Sequence, residues 1–213
     1  MRYALRSSKR AGEGKDMQMI KIKNTRHINC LYNAVEFVYR ATMKDEVQPY
    51  RRYIYKDNEF LVASDGHRLF MALLDNVVKE EREAWAIEEG AYEVVRINKK
   101  ELTINKVENA PEFPANWSKY FRLKDYQCAE TLAGGSHFGI DKAVCDTIRL
   151  CPGNKYFGVD CLKDVFKSAH TESWTVLMGG GLQSCLFKNK YKRAVVMPIK
   201  MKDEKEASFG TDK

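Results

Sequence analysis

No stretch of about 18 apolar residues occurs anywhere in the 213-residue chain, so the sequence predicts no helix that crosses a bilayer. The N-terminal region also lacks the apolar centre of a secretory signal, and the expected location is intracellular, in the cytoplasm. The six cysteines, Cys30, Cys128, Cys145, Cys151, Cys161 and Cys185, contain no Cys-x-x-Cys pair, and no histidines stand at zinc-like spacing. That pattern predicts reduced core thiols rather than a disulfide framework or a metal site. No Ser motif, Cys–His spacing or carboxylate cluster supplies a nucleophile, so the sequence predicts neither an enzyme nor a cofactor.

What is present fits a folded protein of one or two domains, with 44% apolar and 31% charged residues. The formal charge of +7 points toward a polyanion, because lysines and arginines that neutralise phosphates supply the sequence-independent part of nucleic-acid affinity. Part of the excess sits in Arg2, Arg6, Lys9, Arg10 and Lys15, within a Ser/Gly/basic segment over 1–17 that is expected to be disordered.

Along the chain, Met19 to Lys23 alternates as a half-buried strand does. Asn24 or Thr25 is placed to cap a helix running to about Met43, with Ile28, Leu31, Tyr32, Val35, Val38 and Tyr39 on one face. Tyr50 to Tyr55 reads as a strand, Lys56 to Glu59 as a turn, and Phe60 to Leu74 as a hairpin around Asp65-Gly66. Residues 76–89 read as a loop or short surface helix. Tyr92–Ile97 and Leu102–Val107 form a second hairpin around Asn98-Lys99-Lys100.

Pro111 and Pro114 mark a boundary between two halves, 18–110 and 111–203, ahead of a polar tail at 204–213. In the second half Gly134-Gly135-Ser136 reads as a turn, and Ile140, Val144 and Ile148 as a short helix stopped by Pro152. Tyr156–Val159 reads as a strand and Leu162, Val165, Phe166 and Ala169 as a helical face. Strands follow over Trp174–Met178, Leu182–Phe187 and Arg193–Met201. Both halves thus read as strand, helix and three strands, an α+β arrangement of two βαβββ units whose antiparallel sheets are backed by helices. Tyr53, Tyr55 and Trp174 are expected in the core rather than stacking on bases. His27, His137 and His170 are expected at the surface or as caps.

Three short segments resemble the bacterial sliding clamp, the beta subunit of DNA polymerase III. Ser64-Asp65-Gly66-His67-Arg68-Leu69 is similar to the hairpin of that family's middle domain. Phe113-Pro114-Ala115-Asn116-Trp117-Ser118-Lys119-Tyr120 is similar to its Phe-Pro-Asp-Tyr-Arg-Arg-Val interdomain linker, with extra residues. Gly158 to Ala169 followed by Val196-Met197-Pro198 resembles the closing helix and terminal strand. The resemblance implies an abbreviated DNA-clamp-like fold with a pocket for the short apolar peptide of polymerase and repair partners. Carried over, the pocket comprises Ser64, Gly66, His67, Leu69, Pro114, Tyr120, Val196, Met197, Pro198 and Ile199, with Arg68, Lys119 and Lys200 at its rim.

The same resemblance implies double-stranded DNA as a partner, met by basic helices through Arg26, Lys163 and Lys167, and a homo-oligomer among the assemblies. A family member has three domains, whereas this chain has room for two, so ring closure does not follow from the motifs. The alternative reading is a non-ring module that binds single-stranded or general nucleic acid.

Overall fold

The computed structural model describes residues 19–43, 47–77, 87–132, 139–150, 156–167, 173–179 and 184–199. The tails at 1–17 and 204–213, the 134–136 turn, His137, His170 and Lys200 lie outside the described residues.

The first half supplies β1 (Met19–Lys23), α1 (Leu31–Tyr39), β2 (Ile54–Asp57), β3 (Phe60–Ser64), β4 (Arg68–Leu73), β5 (Gly90–Ile97) and β6 (Glu101–Val107). The second supplies β7 (Tyr126–Leu132), α2 (Ile140–Leu150), β8 (Tyr156–Phe157), α3 (Val159–Lys167), β9 (Trp174–Gly179), β10 (Cys185–Lys188), β11 (Lys192–Val196) and β12 (Pro198–Ile199). The two halves share one ten-stranded antiparallel sheet in the order β1-β6-β5-β2-β3-β4-β11-β10-β9-β7, with β8 and β12 paired in a separate ribbon. The halves meet at β4–β11, where Lys192 to Val196 pairs with Ala72 to Arg68.

Alternation along these strands sorts side chains onto two faces. Phe70, Ala72, Phe187, Ala194 and Val196 join the larger core with the buried faces of α1, α2 and α3. Leu69, Met71, Leu186 and Val195 join a second core on the opposite face, closed by Trp117 and Phe121. Burial on both faces is why Leu61–Ala63, Leu69–Ala72 and Ala194–Val196 are continuous apolar runs instead of alternating ones.

Phe37 of α1 ties the halves through the larger core. Its ring stacks on Phe70 at 4.7 Å and reaches Trp174 of the second half at 5.9 Å. Trp174 is fully buried and Tyr55 is buried, so both serve the core.

Several local expectations shift. Helix α1 starts at Leu31 behind Cys30 with no side-chain cap, and Asn24 is used elsewhere. The Asn24 amide donates to the Lys100 carbonyl, and its side chain donates to Lys99 and accepts from the Arg26 amide. The helix ends at Tyr39, and Thr42 folds back to donate to the Tyr39 carbonyl instead of extending it. Pro49–Arg52 forms a 3-10 turn before β2 where a strand from Tyr50 was expected, consistent with proline at its first position. Strand β7 carries no pattern that sequence reading detected.

Replacing Phe37 with Ala is expected to cost about 3–5 kcal/mol, read from urea denaturation, because it opens a cavity where the two halves meet. A second expectation concerns alkaline pH. Burial, with Glu88 adding to it, pushes the Tyr92 phenol from 10.0 up to about 12. The unfolded chain ionises first, so stability present below pH 10 should fall as pH rises toward 12, and Tyr92→Phe should reduce that slope.

Candidate functional site

The β3–β4 turn is held by its own polar residues. Oδ1 of Asp65 accepts from the amides of His67 and Arg68, each at 2.9 Å, while Ser64 Oγ donates to the Arg68 carbonyl and accepts from the Gly66 amide. Gly66 sits at φ +90, a conformation that favours glycine, and a Cβ there would also have to displace the end of the Arg51 side chain. Both Asp65 oxygens are committed, the second to Arg68 Nε at 2.9 Å, so Asp65 does not orient the His67 imidazole.

Arg68 carries the turn across to the second half. Its guanidinium bonds Asp65 and, at 2.5 Å, Asp164 of α3, 96 positions away, and lies 5.8 Å from the Phe70 ring. Burial alone would lower its pKa, but the two carboxylates outweigh that and hold it above its ordinary value. Beside it, burial pushes the Cys161 thiol upward. Next to the turn, the Met197 amide donates to the His67 carbonyl at 2.8 Å, extending the β4–β11 ladder by one bond.

The connection between the halves lies against the face opposite the helices. The Tyr55 hydroxyl donates to the Pro111 carbonyl, Trp117 Nε1–H donates to Asp57, and the Tyr126 hydroxyl donates to the Tyr120 carbonyl. Aromatic contacts continue from Tyr50 through Phe113 and Trp117 to Phe121.

Between this connection, the turn and the strand end lies a cleft of about 290 Å³. The hairpin contributes Ser64, Gly66, Arg68 and Leu69, the connection contributes Pro114, Lys119 and Tyr120, and the strand end contributes Met197. These eight were expected from the sequence to lie together. His67 does not line the cleft; its side chain is exposed and its carbonyl belongs to the ladder. Val196 is fully buried against the helices because alternation turns it away from the face that Met197 occupies. Pro198 and Ile199 pair with β8 outside the lining.

The lining also includes Tyr50, Arg51, Phe113, Asn116, Trp117 and Val195, none of them carried over from the motifs. The period of two could have found Val195 from Met197, but nothing in the sequence aims the Tyr50-Arg51 turn at this site. Apolar and aromatic walls with a few fixed polar groups suit an extended chain bearing apolar anchors. Among the described residues no carboxylate lines the cleft, whereas Arg51, Arg68 and Lys119 do. Among the described residues no group of three His, Cys, Asp or Glu is arranged to hold a metal ion.

The expected DNA contacts separate. Arg26 is exposed in a positive-φ turn before α1. On α3, Lys163 pairs with Asp141 at 3.0 Å and Lys167 with Asp164 at 2.7 Å.

No protein-family model matches the sequence, and no curated protein matches it. The fold does match solved structures. The DNA polymerase sliding clamp from Pseudomonas aeruginosa superposes at a TM-score of 0.51 and 16% identity, over 90% of this chain and 68% of that one. The sliding clamp from Bacillus subtilis gives 0.53 and 11%, over 91% and 67%. The DNA polymerase III beta subunit from Thermotoga maritima gives 0.50 and 16%, over 92% and 68%. The chain therefore has the α+β sliding-clamp fold and spans about two thirds of the length of these clamps.

Arg68→Met is expected to cost about 3 kcal/mol in urea denaturation, because it strands two largely buried carboxylates. Asp164→Asn in the same background should cost less than it does alone, since the Arg68 bond is already gone and only the exposed Lys167 pairing at 2.7 Å remains to be lost.

Proposed function

We propose that the chain is a non-enzymatic clamp-type processivity factor. It tethers DNA polymerase or repair proteins through a short peptide seated in the cleft, and it holds double-stranded DNA through phosphate contacts that read no sequence. It acts in the cytoplasm, needs no cofactor and works as an assembly of more than one copy. The observation that carries this reading is the cleft itself. Segments far apart in the chain, the Ser64–Leu69 turn and Val195–Met197, meet the Phe113–Tyr120 connection around one apolar space.

The fold supports the tether, because a clamp of this type acts by position and not by chemistry. Asp65, the carboxylate nearest His67 in sequence, is fully engaged by the turn and Arg68, which leaves no acid–base pair there. The assembly finds support at the sheet's ends. Among the described residues β1 pairs only with β6 and β7 only with β9, so each leaves one edge for another strand. Unlike edges of one chain join head to tail, which gives either a ring of several copies or an open array.

A second reading, a single-strand-binding module, draws on the aromatic walls Tyr50, Phe113, Trp117 and Tyr120 beside Arg51 and Lys119. Bases stack on such rings, with an affinity that falls steeply as salt rises. It requires an oligonucleotide, rather than a peptide, to saturate the cleft.

Titration of a labelled, Gln-containing apolar clamp-binding peptide by fluorescence anisotropy tests the first reading. Met197→Asp should weaken it by about tenfold or more, equivalent to about 1.4 kcal/mol. An unchanged affinity counts against the cleft as the docking site.

A further inference from the structure

The connection from Phe113 to Lys124 holds three cations, Lys119, Arg122 and Lys124, and no acid, between Glu112 on one side and Asp125 on the other. Its 3-10 turn, Trp117–Phe121, decides how they are displayed. Trp117 and Phe121 turn into the core against the sheet, which leaves the remaining side to solvent. Three residues complete a turn of such a helix, so side chains three apart stand in register. Asn116, Lys119 and Arg122 form that row: the Lys119 amide donates to the Asn116 carbonyl at 3.2 Å, and the Arg122 amide to the Lys119 carbonyl at 3.3 Å. Asn116 and Lys119 line the cleft and Arg122 does not, so the row leads from the cleft outward.

The cations around the cleft differ in what their charge already meets. Arg68 is held between Asp65 and Asp164. Arg51 lies 6.0 Å from the Tyr50 ring, with its guanidinium against Gly66. Lys119 and Arg122 are exposed, and neither pairs with a carboxylate among the described residues. Lys119 Nζ stands 5.1 Å from the centre of the Tyr120 ring, a contact with the ring face that leaves its N–H donors open to an anion. Asp57, which reaches the connection, is occupied by Trp117 Nε1–H and by Asn58. Glu112 stands at the other end of the connection, before Phe113.

A chain seated on the apolar walls Leu69, Val195 and Met197 therefore leaves the cleft past a lysine and an arginine. We infer that the partner peptide carries Asp or Glu beside its apolar anchors, on the side that exits past Lys119 and Arg122, and that these two cations select for it. The inference rests on the proposed peptide docking and states the chemistry of its occupant. Opposite charges at so exposed a rim add modestly to affinity and act more on partner choice and rate of encounter. A nucleic-acid strand is instead tracked by positive charge along its whole backbone, whereas these two cations stand at one end of a mainly apolar and aromatic lining.

The test is anisotropy titration of the full chain with three labelled peptides that share the Gln-containing apolar core. One carries two Asp residues after the anchors, one carries two before them, and one has Asn at both places. One of the two acidic peptides should bind about threefold to tenfold tighter than the Asn form at low ionic strength, and the gain should shrink as salt rises. Lys119→Ala/Arg122→Ala should remove the difference between the acidic and Asn peptides, Lys119→Glu should reverse it, and Lys119→Arg should keep it. Lys21→Ala/Arg96→Ala, which removes two exposed charges from β1 and β5 outside the cleft lining, should leave the difference intact. Equal affinity of all three peptides, an equal gain on both sides, or a gain that survives Lys119→Ala/Arg122→Ala would overturn the inference. If Met197→Asp weakens all three in that case, docking in the cleft stands without it. An acidic preference in a chain where Met197→Asp weakens none of the three would put the anion away from the cleft and overturn the inference as well. No binding of any peptide would overturn both the inference and the tether, and an oligonucleotide whose affinity falls in Lys119→Ala/Arg122→Ala would then assign these cations to the single-strand reading.

Discussion

The Arg68 guanidinium holds the arrangement together. A hairpin turn that needs Asp65 for its own amides would ordinarily leave an isolated carboxylate against the sheet. Arg68 neutralises it through Nε and bonds Asp164 of α3 through Nη1, so one side chain stabilises the turn and joins the two halves. Removing such a charge from water is costly, and the bond network offsets that cost only if both carboxylates stay in place. The turn, the first turns of α3 and the strand that ends at Met197 are therefore fixed relative to one another.

A second constraint follows from the shared sheet. Because β3, β4, β10 and β11 are covered on both faces, each residue's parity decides which core it serves. Leu69 and Val195 face the connection between the halves, while Phe70 and Val196 face the helices. The cleft exists where the connection, pinned by Tyr55 and Trp117, stops short of covering that face completely. Its shape depends on strand register, because a slip of one residue would present Val196 in place of Val195.

The parts most legible in the sequence were those whose chemistry is local. The Asp65-Gly66 turn, the Asn98–Lys100 turn and the apolar runs around them state their geometry through residues that few other structures would need. The amphipathic faces of α2 and α3 were visible for the same reason, as Val144, Leu162 and Val165 recur at helical spacing. What escaped reading depends on distant partners. Asn24 looked like a cap but is claimed by the Lys99-Lys100 turn, β7 finds its partner only in β9, and Tyr50-Arg51 reaches the cleft because Pro49 starts a turn there. Of the cleft itself, the motif segments identified one wall each, and the aromatic residues between them became evident only when the connection was placed.

The central claim is that turn, connection and strand end act as one binding surface. Amide hydrogen exchange with and without a saturating clamp-binding peptide tests it most directly, since it reports each segment separately. The account predicts simultaneous slowing over residues 64–69, 113–121 and 195–197, with α1, α2 and α3 unchanged. Protection confined to one of those segments, or appearing on the helix face instead, would contradict it.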